Sequence, residues 1–139
     1  MSSALVTIEN LNKSYGRGPV LQSLNLTVNS GRIVWVMGPN GCGKTTLFKI
    51  LTGLISDYQG TVTIDGQAPG VYTKSIVSYL PEKTYLSDWM RAKDALDMFR
   101  DFYADFDRQK AAEMLQRFRL DEKMKLKSMS KGMQEKLQL

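Results

Sequence analysis

Apolar residues fall into two patterns along the 139-residue chain, and the change comes near Pro81. Before it, short β-type runs are separated by glycine-containing breaks. They cover residues 5–8, 20–28 with apolar and polar positions alternating, 33–37, 61–64 and 76–80, and they predict a sheet. Asn29-Ser30-Gly31 is a turn signal ahead of the continuous run Ile33, Val34, Trp35, Val36, Met37, and Asp65-Gly66 is a hairpin-type turn signal after a strand. Between these turns Leu47, Ile50, Leu51 and Leu54 recur at helical spacing, which predicts a helix over 44–53 with Gly53 near its end.

After Pro81 the period lengthens. Leu96, Phe99 and Tyr103 mark one amphipathic helix, and Ala111, Met114, Leu115 and Phe118 a second, with Asp107 placed to cap it. Six of the eight methionines lie in this part, where they serve either as core filler or as an adaptable docking face. Charge changes at the same place. Residues 1–80 carry six basic and three acidic side chains, residues 81–139 thirteen and eleven. The boundary divides a β and glycine-loop region, 1–81, from a helical region, 82–139.

The chain has one cysteine, no histidine and a net charge of +5. An intrachain disulfide is excluded, and so are Ser-His-Asp, Cys-His and histidine-ligated metal chemistry. No run approaches the roughly 18 apolar residues of a membrane span. The N-terminus lacks the basic start and apolar core of a secretory signal, which predicts a cytoplasmic location. The positive balance fits nucleic acid, a membrane surface or a phosphorylated ligand, and composition does not choose among them.

The choice comes from Gly38-Pro39-Asn40-Gly41-Cys42-Gly43-Lys44-Thr45, followed by Thr46, which fits G-x-x-x-x-G-K-T/S between a predicted strand and a predicted helix. Glycines let the backbone curl so that N–H groups face phosphate oxygens, and the helix N-terminus adds the positive end of its dipole. Lys44 is the cation for the β- and γ-phosphates, and the Thr45 hydroxyl is a ligand for Mg²⁺. Cys42 occupies an unconstrained loop position and is read as a small residue rather than a nucleophile.

With that loop in place, the chain resembles the nucleotide-binding subunit of ATP-binding cassette (ABC) transporters from about Val6 to Leu139. Tyr15, in Leu11-Asn12-Lys13-Ser14-Tyr15-Gly16, matches the family's adenine-stacking aromatic. Tyr79-Leu80-Pro81-Glu82 is similar to the family's Q-loop, with Glu82 where glutamine is usual; a carboxylate there still suits Mg²⁺ or an ordered water. Met129-Ser130-Lys131-Gly132-Met133 resembles the signature motif: Ser130 and Gly132 match, whereas Met129, Lys131 and Met133 depart from the common letters. This variant and the Leu-Pro-Glu form of the Q-loop look like bacterial exporter-type ATPases with separate permease chains.

The resemblance implies an α/β fold: a P-loop NTPase core with an antiparallel β subdomain and a helical subdomain, lacking the C-terminal part of the ABC ATPase fold. It implies ATP and Mg²⁺ as cofactors, Lys44 and Glu82 in catalysis, and Ser130, Lys131, Gly132 and Met133 facing the nucleotide of a second ABC subunit. Permease subunits are the implied membrane partners, with the chain peripheral on the inner face of the cell membrane. The family's Asp-Glu pair and switch histidine are not in the sequence, so little hydrolysis is expected of these residues alone. A nucleotide-binding or regulatory module without hydrolysis is the alternative. A soluble ABC protein acting on nucleic acid or ribosomes is a third reading, suggested by Lys123, Lys125, Lys127, Lys131 and Lys136. Those lysines alternate with Met and Leu as a solvated face does, and no nucleic acid is expected as a partner.

Overall fold

A computed structural model describes residues 3–139. The chain is α/β and divides into two compact units, one ending at Tyr79 and one spanning Leu80–Leu139. In the first, strands β1 (Ala4–Tyr15), β2 (Gly18–Asn29) and β3 (Gln59–Ile64) form a sheet in the order β2-β1-β3, antiparallel throughout. Helix α1 (Lys44–Leu51) lies between β2 and β3 in sequence, and α2 (Val71–Ile76) follows β3. Leu47 and Ile50, three positions apart on α1, bury with Ile8, Leu11, Leu21 and Val62. Each such side chain contributes about 1.5–3 kcal/mol when fully buried.

Turn chemistry sets these elements. Asp65 and Gly66 both have positive φ, 50° and 75°, as a two-residue type I′ turn requires, and Ile64 and Gln67 exchange hydrogen bonds across it at 2.8 and 3.0 Å. Helix α1 stops at Gly53, φ 71°, whose N–H donates to Ile50 while that of Leu54 donates to Lys49, a Schellman ending.

Of the four register shifts in the β1–β2 pair, two adjacent ones are opposed bulges. Ile8 pairs with Leu26 and Leu11 with Leu24, so β1 has a surplus residue, at Asn10 with φ 54°. Lys13 then pairs with Leu21, the surplus now falling on β2 at Ser23, φ 45°. Two asparagines hold the pair: Asn25 Oδ1 accepts from the Asn10 N–H at 2.9 Å, and Asn12 Oδ1 from the Ser23 N–H at 2.8 Å. Because strand side chains alternate in direction, the surplus residue moves the inward positions of β1 from Ile8 to Leu11 and Lys13, all buried.

Two expected strands are absent. Residues 33–37 have no regular secondary structure, and Ile33, Trp35 and Met37 are each at least 85% exposed. Of residues 76–80, Ile76 ends α2 and the rest are irregular. Residues 33–37 form a continuous apolar run, the pattern of a strand buried on both faces, and residues 76–80 a short β-type run. Such a strand needs partners for its backbone groups, and among the described residues the sheet offers neither run a neighbour. The glycine loop therefore follows irregular chain rather than a strand.

The second unit contains α3 (Ala92–Phe102), α4 (Arg108–Arg117) and α5 (Lys131–Gln138), with a 3₁₀ turn at Leu126–Ser128. Asp94 accepts from the Arg91 N–H at the start of α3, and Asp107 caps α4 by accepting from the Lys110 N–H at 2.9 Å, as its sequence position predicts. Leu96, Leu115, Leu126, Met129 and Leu137 belong to one apolar core. Chain 122–127 runs beside 88–93, with the Ala92 N–H on Met124, the Lys93 N–H on Glu122 and the Leu126 N–H on Met90. Arg108 reinforces this stitch, reaching Asp97 on α3 at 3.1 Å and Glu122 at 2.9 Å. Among the described residues no helix is long and apolar enough to cross a membrane.

Candidate functional site

The glycine loop is shaped from both ends. Gly41 and Gly43 have φ of 82° and 101°, a region that side-chain-bearing residues rarely enter. Gly43 is also pressed against β2: a Cβ on it would lie 2.9 Å from the Val20 carbonyl oxygen and 2.9 Å from Leu21 Cδ2. Lys44 turns back over the loop, its Nζ donating to the carbonyl oxygens of Gly38 and Pro39 at 2.5 and 2.8 Å, with Cys42 Sγ at 3.6 Å. Among the described residues no side chain caps α1, and its first N–H donors have no partner within the helix. Gly38, Pro39, Asn40, Gly41, Cys42 and Thr45 are exposed, and Thr46 is half-buried. The loop thus brings exposed backbone together with one ammonium and the Thr45 and Thr46 hydroxyls, donor types that suit an anionic phosphate chain.

Tyr15 ends β1 at the tip of the β1–β2 hairpin and is 46% exposed. The same hairpin holds both predicted parts, since Gly43 rests on Val20 and Leu21, and Leu21 pairs with Lys13, two residues before Tyr15. Lys13 went unnoticed in the sequence. It is 8% exposed, bound to Asp57 at 3.0 Å, and its Nζ lies 5.0 Å from the centroid of the Tyr15 ring. The available signal was its place on the same strand as the aromatic, but a lysine in an amphipathic strand ordinarily faces water. A polar pocket of about 200 Å³ opens beside it, lined by Asn12, Lys13, Ser14, Asp57, Tyr58 and Gln59.

The remaining predicted residues belong to the helical unit. Glu82 is exposed on irregular chain after Pro81. Ser130 caps α5, its Oγ accepting from the Met133 N–H at 3.3 Å, and Lys131 and Gly132 are exposed on the first turn. The departures from the signature letters have local causes: Met129 is buried in the core, Met133 packs against it, and Lys131 faces solvent with Glu135 at 3.9 Å. Among the described residues no cluster of three or more Cys, Asp or Glu side chains could hold a metal ion. A cation here would therefore rest on a ligand's phosphates and hydroxyls such as that of Thr45.

The matching sequence family is decisive: residues 21–139 match the family described as ABC transporter. The chain belongs to that family. It is 33% identical over 126 residues to the lipopolysaccharide export system ATP-binding protein LptB of Haemophilus influenzae, covering 84% of this chain and 52% of LptB. It is 32% identical over 134 residues to the aliphatic sulfonates import ATP-binding protein SsuB of Bacillus licheniformis, covering 90% and 51%. A solved structure described as an ATP binding subunit of an ABC transporter superposes with a TM-score of 0.80 at 25% identity, covering 96% of this chain and 59% of that one. This ABC chain thus spans about half the length of the curated relatives it matches. Export and import proteins are matched at similar identity, so the exporter-like letters at Ser130–Met133 do not by themselves set a direction of transport.

Proposed function

We propose that this chain supplies the nucleotide-binding part of an ABC transporter ATPase and holds Mg-ATP in the glycine loop. The observation that carries the reading is Lys44 Nζ, tethered over the loop by Gly38 and Pro39 and followed by an uncapped helix start. Bound Mg-ATP would supply a phosphoanhydride open to attack by water. In this reading Lys44 neutralises the β- and γ-phosphates, and the N–H groups of Gly41, Gly43, Thr45 and Thr46 orient them. The Thr45 hydroxyl holds Mg²⁺, and Tyr15 stacks on the base.

In the helical unit Glu82 orders water or the metal. Ser130 and Gly132, with Lys131 and Met133 beside them, offer a hydroxyl and N–H donors to nucleotide bound by a second ABC subunit, so that nucleotide joins the two chains. The partner that couples this to transport is a membrane permease, met at the inner face of the cell membrane. Support for a protein partner comes from the exposed aromatic side of the helical unit. There Tyr85, Met98, Phe99, Phe102 and Tyr103 line an open pocket of about 340 Å³.

Titration calorimetry with Mg-ATP tests the loop assignment. Lys44→Ala removes a charge-assisted contact worth roughly 1.5–3 kcal/mol and should weaken binding at least tenfold. Bound Mg-ATP should also slow alkylation of the exposed Cys42 thiol. Unchanged affinity in the variant, together with equal labelling rates with and without nucleotide, would remove the site from this loop. Phosphate release measured on the same protein separates hydrolysis from binding alone.

A further inference from the structure

Lysine is rarely buried, and Lys13 is buried beside an aromatic ring that stays exposed. Its ammonium lies over the Tyr15 ring, 5.0 Å from the centroid, and is held there by Asp57 Oδ2 at 3.0 Å. Asp57 itself is 98% exposed, so it contributes an anchor to the lysine and almost nothing to the core. Tyr15, at the hairpin tip, has no hydrogen-bond partner among the described residues that would fix its ring, and the cation is the polar group that addresses it.

We infer that Lys13 is a positioning residue for the nucleotide base: clamped by Asp57, it holds the Tyr15 ring in the attitude that stacks a purine. The inference rests on the reading of Tyr15 as the base-stacking aromatic. An ammonium against one face of a ring is attracted by the ring quadrupole and draws π density toward itself. The other face is then left less electron-rich, which suits an electron-rich adenine laid upon it. Lys13 also pairs with Leu21, which packs on Gly43 of the glycine loop. One hairpin therefore fixes the ring that meets the base and the loop that meets the phosphates. A ligand that engages both, a nucleoside triphosphate, is then preferred over a free base or a bare polyphosphate.

The test compares Mg-ATP with Mg-tripolyphosphate, which lacks base and sugar, by calorimetry on the full chain. Tyr15→Leu should weaken ATP about tenfold, within the range of one base–aromatic stack, and leave tripolyphosphate unchanged. Lys13→Met should weaken ATP about fivefold with tripolyphosphate unchanged, and Lys13→Arg should recover most of the loss. Asp57→Asn, at an exposed position, should act in the same direction with a smaller loss and covers the case in which Lys13→Met does not fold.

If Tyr15→Leu weakens ATP while Lys13→Met and Asp57→Asn do not, the inference is overturned and the base-stacking reading stands. Equal weakening of ATP and tripolyphosphate by the Lys13 and Asp57 variants would reduce Lys13 to a structural residue and overturn the inference as well. If Tyr15→Leu leaves ATP affinity unchanged, the stacking reading itself falls and takes the inference with it.

Discussion

The carbonyl oxygen of Asn10 lies 2.4 Å from where a Cβ on Gly60 would stand. Asn10 is the surplus residue of the β1 bulge, and the bulge pushes its backbone toward β3, where only a glycine leaves room. Gly60 has φ 101° as well, so both space and backbone conformation exclude a side chain. The consequence reaches the candidate site, because the bulge turns Leu11 and Lys13 inward.

Gly60→Ala should therefore destabilise the protein by more than about 1 kcal/mol, since the obstructing atoms are backbone and cannot rotate away. Urea unfolding followed by circular dichroism checks it. An unchanged midpoint would mean that the bulge relaxes without loss.

Arg119 makes the opposite case. It occupies the left-handed position after α4 at φ 58°, with the Leu120 N–H donating to Leu115 and the Arg119 N–H to Gln116. Its side chain is exposed. A glycine takes this conformation without the Cβ clash that costs other residues about 1–2 kcal/mol. Arg119→Gly should raise stability by about 1 kcal/mol, read as a higher urea midpoint; a lower midpoint would assign the arginine side chain a contact that outweighs the strain.

How much of this was legible beforehand follows from the reach of each signal. Turns announce themselves in a few residues, as at Asp65-Gly66 and Gly53, and the glycine loop with Lys44 and Thr45 is a local spacing. Residues 33–37 and 76–80 misled because a β-type run states a need for neighbouring strands without stating that they are present. The pairing of Lys13 with Asp57 joins positions 44 residues apart, after a bulge has changed which side chains face inward. Alternation read along β1 from Ile8 would have turned Lys13 outward.

The helical unit should show an acid-sensitive stitch. The Arg108 guanidinium, chiefly through its hydrogen bonds, holds the Glu122 carboxyl below the usual glutamate value, while burial opposes the shift. A depressed folded value means that the stabilisation is present above the unfolded pKa of about 4.3 and is lost as pH falls from there through the folded one. Both side chains are partly open to solvent, so screening limits the effect to about 1 kcal/mol or less. Glu122→Gln should be less stable than the parent at about pH 6 and nearly equal to it at about pH 3. A difference independent of pH would show that packing, not charge, is what the substitution removes.

Trp35 reports on the apolar run that found no strand partner. Both tryptophans, Trp35 and Trp89, are exposed, and Trp35 lies between Val34 and Val36 with Ile33 and Met37 at the ends, an open apolar segment whose backbone has no hydrogen-bond partner among the described residues. In dilute solution the emission should be red-shifted as in water and strongly quenched by iodide, and Trp89→Phe should leave Trp35 alone to give the same result. Exposed strand-forming segments of this kind recruit other chains. Quenching of Trp35 should therefore fall as protein concentration rises, and Val36→Lys, which places a charge in the run, should suppress that fall. Emission that is blue-shifted and protected at every concentration would mean that the segment is covered within the single chain, contrary to the open arrangement described for residues 33–37.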